Sequence, residues 1–540
     1  MLVILNSQSR KKEEFKALNP NGKSVRMYTC GPTVYDSLHL GHARAAITPD
    51  VVRRYLEYRG YEVRYVMNFT DVDDKIIKRA IAESRDWREL TKVYIEEFHR
   101  LMLALNVRAA DAFPRATDHL PEMITIVDRL LKSGHAYIAS DGDIYFDTSK
   151  YARYGALSGR KLDEEEAGLS GRMTKERMAV KKSQGDFVLW KLNKNDREEI
   201  AKGGAAVPRW SSPWGDGRPG WHLECSAMSH KYLSVPFDIH CGGQDLLFPH
   251  HEDEKAQTEC AYHVELGEGE SVRYWVHNAF VTVKPRPEDA SLSADVVDAQ
   301  SGSVKMSKSL GNVKWLREMI WPEGPFDPMA VRMMLLSSHY RSPIVYEPAM
   351  LDEANARLER IYNTLETLER AGPLDRGEIL KRIKESFDAA MDDDFNTAGA
   401  LGVLFDFVSH VNQDISKNTL PPAVLAQAIV TIKTMLDVLG IRSHRAKIGG
   451  AGDSEKLAEL LLQVRQDVRV AKLKNNTDAA LTELVQSIVE SNELLYRRFT
   501  SFDAQVAAEH NAMQNMLTWL QDSEPNAELK AYIKQFKDEH

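Results

Sequence analysis

Apolar positions first gather in a strand-like run at 24–30 (SVRMYTC), which leads through the turn GPTVYDSLHLGH into helically spaced apolar residues ending near Tyr58. A second strand-like run, YEVRYVMNFT, follows, so the chain opens with a βαβ unit. Pro49 falls inside the first helical pattern, where its missing N–H and its ring predict a kink or a break. Two amphipathic patterns between 88 and 134, EFHRLMLALNV and DHLPEMITIVDRLLKSG, predict helices, and AYIASDGDIYF predicts a hairpin turning at Asp141–Gly142. This stretch reads as an insertion between two halves of a sheet. The sheet resumes with FDIHCGG at 237–243, a helix from about Pro249, and a single strand, WVHNAFVTV, at 275–283. Residues 284–303 are polar, with prolines and serines, and predict a loop. From about 346 to the end the spacing is helical, rich in Ala, Leu, Glu and Lys, without a repeat of fixed period. The expected fold class is therefore α/β with an insertion, followed by an α-helical C-terminal domain.

Composition adds limits to this outline. A chain of 540 residues with 43% hydrophobic content can bury several cores, which predicts three or four domains. No run of about 18 apolar residues occurs, and the apolar start of MLVILNSQSRKKEEF is too short for a secretory signal, so a cytoplasmic protein with no membrane partner is expected. The four cysteines, Cys30, Cys225, Cys241 and Cys260, are too few for a disulfide framework; three lie among His, Asp and Glu, which points to metal or thiol chemistry. A net charge of -9 decides nothing, because an RNA partner needs only a local basic face.

Three clusters carry candidate chemistry. His39-Leu40-Gly41-His42 lies between strand and helix, where amides, helix dipole and imidazoles suit nucleotide phosphates and Gly41 leaves room for an adenine ring. Alone, such a string reads equally well as a plain turn. Lys305-Met306-Ser307-Lys308-Ser309 follows the polar loop; its two lysines suit a triphosphate losing pyrophosphate, the bland alternative being a solvated basic turn. The third cluster is a candidate metal site. His250 and Glu254, at i and i+4, share one face of the expected helix, and Cys30 and Cys225 come from elements near strand ends. Two thiolates, an imidazole and a carboxylate suit Zn²⁺, whereas the bland reading makes the cysteines core residues and Glu254 a solvated helix face. His251 is one residue off that face.

The first two motifs, in this order, resemble the signature of class I aminoacyl-tRNA synthetases. The segments CGPTVYD at 30–36, NFTDVDDK at 68–75, GWHLECSAM at 220–228, FPHHEDE at 248–254 and AMDDDFNT at 390–397 resemble one family of that class, the cysteinyl-tRNA synthetases, over roughly residues 20–440. The resemblance implies a Rossmann-like class I catalytic domain in two halves, 1–90 and 221–283, around a connective insertion at 91–220. It places the lysine loop and a stem-contact region at 284–345 and a helical tRNA- and anticodon-binding domain at 346–540. It also implies activation of L-cysteine by ATP with Mg²⁺, transfer to tRNA(Cys), one zinc per subunit and a monomer. It gives the ligand role to Cys30, Cys225, His250 and Glu254, with the substrate thiolate as an added ligand. His39, His42, Lys305 and Lys308 would stabilise the transition state, with Gly41, Asp245 and Lys308 at the nucleotide. Thr70 and Trp221 would line the amino-acid pocket, and Asp245 would hold the adenosine or the α-amino group, unless it merely caps the next helix.

Several positions depart from the family pattern. Cys241 stands where a glycine is expected, read as a small core residue and not a ligand; Ala279 replaces another glycine; and the 284–303 loop is long. Beyond the basic run containing Arg465, Arg469, Lys472 and Lys474 the family's closing signals do not follow, so anticodon reading by this tail stays open. Three rival functions remain: a tRNA-independent cysteine ligase, an inactive paralogue that binds RNA or metal, and a small-metabolite nucleotidyltransferase.

Overall fold

A computed structural model describes residues 1–160, 180–192, 207–267, 269–286, 297, 302–307, 310–320, 324–369, 378–416 and 422–445, all within one compact unit, Met1–Ala446. Lys308, most of the 284–303 loop and the basic tail residues Arg465, Arg469, Lys472 and Lys474 lie outside the described residues.

The chain begins with an antiparallel hairpin, β1 (Val3–Asn6) and β2 (Lys11–Glu14). The expected βαβ unit follows as β3 (Ser24–Thr29), α1 (Leu40–Tyr58) and β4 (Glu62–Met67), with β3 and β4 parallel from Ser24 opposite Glu62 to Thr29 opposite Met67. Of the kink or break expected at Pro49, the break does not occur: α1 runs through it without ending. Proline inside a helix costs about 3 kcal/mol. Here Pro49 is itself buried, and Ala43, Ala46, Ile47, Val51 and Val52 bury the adjoining turns, so tertiary packing outweighs the lost hydrogen bond.

Between β4 and the rest of the central sheet lie α2 (Asp74–Ala82), α3 (Trp87–Ala104), α4 (Leu120–Lys132) and a four-stranded antiparallel sheet. The sheet runs β5 (Ala136–Ile138), β6 (Ile144–Phe146), β7 (Phe187–Leu192) and β8 (Gly217–Pro219), and its first hairpin turns at Gly142 with φ 90°, as the Asp-Gly signal predicts. Asp74 on α2 ties this sheet down: Lys191 Nζ lies 2.7 Å and Arg218 Nη2 2.9 Å from its carboxylate.

The central sheet resumes after α5 (Trp221–Leu233) with β9 (Phe237–Gly243), α6 (Glu252–Ala261) and β10 (Val272–Asn278). Its order is β10-β9-β3-β4 and every pairing is parallel. The single strand expected at 275–283 is two. β10 ends at Asn278, and β11 (Val281–Val283) joins another sheet with β12 (Val304–Lys305) and β13 (Ile344–Tyr346). The strand-like composition of 275–283 hides this break, because the interruption comes from elsewhere. The Ala279 and Phe280 carbonyls accept from Arg44 of α1 at 3.1 and 3.0 Å, and Ala279 N–H donates to the Tyr340 carbonyl at 2.8 Å.

The helical end continues as α7 (Pro328–Leu336), α8 (Pro348–Glu369), α9 (Glu378–Asp392), α10 (Thr397–Ser416) and α11 (Pro422–Leu439), in line with the helical spacing as far as residue 445. It is keyed to α1 by buried charge: Arg332 of α7 pairs with Asp50, and Arg54 reaches the Asp437 carbonyl at 3.0 Å. Alternate residues of the central strands face two apolar layers. Val25, Met27, Ile239 and Cys241 face the layer shared with α1 and the helical end, while Tyr28, Val66 and Trp275 face the layer holding α4, α5 and α6. No described helix is long and apolar enough to cross a membrane.

Candidate metal centre and nucleotide turn

The two cysteines, the histidine and the glutamate expected to share a metal come together at the carboxyl edge of the central sheet. Cys30 follows β3, Cys225 lies in α5, Glu254 in the first turn of α6, and His250 in the wider turn Leu247–His251 before it. The regular helix expected from about Pro249 thus starts later, at Glu252, yet His250 Nε2 is still 2.9 Å from Glu254 Oε1. Cys30 Sγ lies 3.4 Å from Cys225 Sγ and 3.2 Å from Glu254 Oε1, and the four donor atoms all lie within 4.8 Å of one another.

A second set meets the same spacing: Cys30, His240, His251 and Glu254, with His240 Nε2 3.4 Å from Cys30 Sγ and 3.7 Å from Glu254 Oε2. It shares two members with the first, so both sets cannot be filled at once. The sequence reasoning passed over His240 and set His251 aside. The missed signal was strand alternation, since Ile239 and Cys241 face α1 and His240 must then face Cys30. Cys241 itself is buried in the layer opposite Cys225.

Burial dominates the electrostatics of this cluster. It pushes the Cys30 thiol well above its usual range, aided by Cys225 and Glu254, and raises Cys225 to about 11. Burial, with Asp253 adding, also drives the Glu254 carboxyl well up against a hydrogen bond from Cys30. His240 and His251 are pushed well below the usual imidazole range by burial and by neighbouring histidines, and His277 down to about 3 by burial and Arg341. Burial thus disfavours the charged forms of the thiols, the carboxyl and the imidazoles alike. A divalent cation offsets what burial withholds, and two thiolates, one imidazole and one carboxylate are a donor set that fits zinc.

An outer layer fixes the rings. His222 Nδ1 lies 2.9 Å from His250 Nδ1, and its Nε2 3.3 Å from Asp253, to which Tyr154 donates. His251 Nδ1 meets His277 Nε2 at 2.8 Å, and His277 Nδ1 meets Ser7 Oγ at 2.8 Å. Such partners choose the nitrogen each ligand offers. Trp221, at the start of α5, stacks on His250 with ring centroids 4.0 Å apart. Thr70 is buried just beyond β4: its N–H donates to the Pro32 carbonyl at 3.3 Å, and its carbonyl accepts from Val34 N–H at 3.2 Å. The two chains touch here; a Cβ on Gly31 would lie 1.7 Å from the Asn68 carbonyl oxygen, so only glycine fits.

The candidate nucleotide turn is built differently. His39 is the N-cap of α1: its Nδ1 accepts from Gly41 N–H at 3.0 Å, while His42 Nδ1 accepts from His39 N–H at 3.2 Å. The rings stack at 3.9 Å. With both δ nitrogens accepting, each ring carries a proton on Nε2. A Cβ at Gly41 would fall 2.8 Å from His39 Cε1, so the glycine first of all accommodates the His39 ring. The lysine segment returns to this turn: Leu40 N–H donates to the Lys314 carbonyl at 3.2 Å, and Leu316 N–H to the Leu38 carbonyl at 2.8 Å. At its other end Lys305 sits on β12 with Nζ 4.8 Å from the Phe280 ring centroid. Asp245 lies in the short turn Gln244–Leu246 after β9, exposed, and is the N-cap of neither that turn nor the helix that follows.

Residues 16–356 match the family model described as tRNA synthetases class I (C) catalytic domain, and residues 386–443 match the DALR domain. A curated Cysteine--tRNA ligase of Actinobacillus pleuropneumoniae serotype 5b (strain L20) is 42% identical over 476 residues, spanning 87% of this chain and 93% of that protein. One from Thermococcus onnurineus (strain NA1) is 43% identical over 480 residues, covering 86% and 92%. Among solved structures, the ternary complex of LeuRS from Agrobacterium radiobacter K84 with tRNA and LeuAMS superposes with TM-score 0.53 at 13% identity, over 79% of this chain and 85% of that one, a likeness of fold alone. With a catalytic-domain match over most of the described chain and relatives of one name spanning nearly its whole length, the chain belongs to the class I cysteine--tRNA ligase family.

Proposed function

We propose that this chain activates L-cysteine with ATP to cysteinyl adenylate and passes the acyl group to the terminal ribose of tRNA(Cys), acting as a cytoplasmic monomer. The observation that carries the reading is the convergence of Cys30, Cys225, His250 and Glu254, capped by Trp221, at the sheet edge that also bears the HxGH turn. Cysteine and serine differ little in size, and shape alone discriminates such pairs only about 10- to 200-fold. When bound by these four residues, a zinc ion supplies a soft Lewis-acidic site that favours a thiolate over a hard, poorly acidic hydroxyl. The set with two sulfurs suits that task better than the set containing His240 and His251, whose rings then orient the ligands. Thr70 and Trp221 bound the amino-acid pocket, and Asp245 holds the adenosine or the α-amino group.

Chemistry at the α-phosphate needs no protein nucleophile. The cysteine carboxylate attacks phosphorus, the bond to the bridging oxygen breaks, and pyrophosphate leaves with its Mg²⁺. His39 and His42 donate from Nε2–H to the phosphates, and Lys305 with Lys308 neutralises the charge that builds on the leaving group. The DALR match at 386–443 supports tRNA as acceptor over a small molecule.

Cysteine-dependent ATP–pyrophosphate exchange, run beside metal analysis and charging of tRNA(Cys), tests this. Exchange with cysteine but not serine, about one zinc per chain and charged tRNA are expected. Equal use of serine, or a pure protein without zinc, overturns the zinc-based selection; exchange without tRNA charging favours the tRNA-independent ligase.

A further inference from the structure

Arg44 lies on α1 one half-turn beyond His42 and is only 2% exposed. Its guanidinium donates to four main-chain carbonyls: Ala279 and Phe280 at 3.1 and 3.0 Å, and His339 and Ser342 at 2.9 and 2.6 Å. Burial lowers its affinity for a proton, to a pKa of about 10, and no carboxylate among the described residues offsets that cost. Arg332, also fully buried, contrasts with it: besides carbonyls it holds the carboxylate of Asp50. A buried guanidinium spent on carbonyls alone is costly to stability. What it secures is location.

The carbonyls it grips mark the point where the chain leaves the central sheet and enters the sheet that carries Lys305. Ala279 and Phe280 separate β10 from β11; Thr282 of β11 pairs with Lys305 of β12; and Lys305 packs its ammonium over the Phe280 ring. Ser342 lies just before β13, the other neighbour of β11. The far end of the lysine segment is already fixed to the HxGH turn by the main-chain bonds of Leu38 and Leu40. Arg44 supplies the near end.

We propose that Arg44 is a positioning residue for the nucleotide half of the site, setting the strand of Lys305 against the His39–His42 turn so that both reach one triphosphate. The inference rests on the proposed activation of cysteine. It assigns Arg44 no contact with substrate, and it separates the two halves of the site: loss of Arg44 impairs phosphate chemistry and leaves thiol recognition alone.

Arg44→Met and Arg44→Lys, with Arg332→Met as a control for the loss of a buried arginine, would be compared as purified full-length chains. Measured are thermal midpoint, zinc content, and the kcat and cysteine KM of ATP–pyrophosphate exchange at saturating ATP. Displacements of about 1 Å in a reacting constellation cost up to about 100-fold, so Arg44→Met is expected to lower exchange kcat about 10- to 100-fold. Its cysteine KM and zinc content should hold within about twofold, the range of a minor change in binding. Arg44→Lys, which reaches only some of the carbonyls, falls between it and wild type. Arg332→Met loses thermal stability while keeping its exchange kcat below the melting range. Wild-type exchange in either Arg44 variant overturns the inference, as does a fall in kcat no larger than that of Arg332→Met at equal loss of midpoint. Should Arg44→Met not fold, Arg44→Lys decides by the same criterion. Absence of exchange in the wild-type chain overturns the proposed function and this inference together, whereas a working wild type with working Arg44 variants overturns this inference alone.

Discussion

In the candidate metal cluster every functional atom is carried by a side chain, and the four side chains come from three separate stretches of the chain, at Cys30, at Cys225 and at 250–254. In the HxGH turn the functional groups follow from helix capping: four consecutive residues, two rings acting as caps, and a partner segment held by main-chain hydrogen bonds. The first depends on burial, which disfavours charge on its thiols unless a cation offsets it. The second depends on register, and register is set by Arg44 and by the strand break at Ala279–Phe280. One site should therefore fail through loss of an ion and the other through loss of alignment.

The largest separation of the two is expected from Cys225→Ser. If structural zinc sites bind with about 10 to 16 kcal/mol, one ligand of four is worth roughly 3 kcal/mol, so zinc affinity should fall about 100-fold or more and cysteine activation with it. Chelator competition reads the affinity directly; unchanged zinc retention would place the ion elsewhere. Lys305→Ala or His42→Ala should act on the other side. Removing one preorganised donor costs about 100- to 1,000-fold in rate, so exchange kcat should fall by that order with zinc content and serine rejection intact. Zinc loss in either variant would show that the two regions are not separable. The smallest effect is expected at the Asp74 anchor of the insertion. Burial alone would raise this carboxyl, but Lys191 and Arg218 overcome it and hold it well below the usual carboxylate range. The stability it contributes is complete above the unfolded value, near about 4, and is lost as pH falls below that toward the folded value. Asp74→Asn should cost about 1–2 kcal/mol at neutral pH after allowance for solvent screening, and should flatten the acid limb of the stability curve. An unchanged acid limb would exclude the ion pairs as its source.

Legibility in the sequence followed the same division. The βαβ unit, the Asp-Gly hairpin and, as far as residue 445, the helical end are local patterns, and each reappears where its residues predict it. The HxGH string was legible as a motif, but the capping role of its imidazoles was not, because it depends on ring orientation. Cys30, Cys225, His250 and Glu254 were found by residue type and resemblance. His240, His222 and His277 were not: strand alternation alone could have turned His240 toward Cys30, but no neighbouring residue announces that a helix and a second strand bring His222 and His277 to the same cluster. The unbroken helix through Pro49 and the strand divided at Ala279 share one cause: tertiary contacts overruled local preference in both.

Gly31 bears on any attempt to change which amino acid the pocket accepts. A residue with no room for a single added carbon sets the distance between the strand ends that carry Cys30 and Thr70, so a library that varied it would sample misfolded chains in place of new specificities. Diversity is better spent on the side chains of Trp221 and Thr70, the proposed pocket residues, since Thr70 joins the neighbouring chain through its main chain alone.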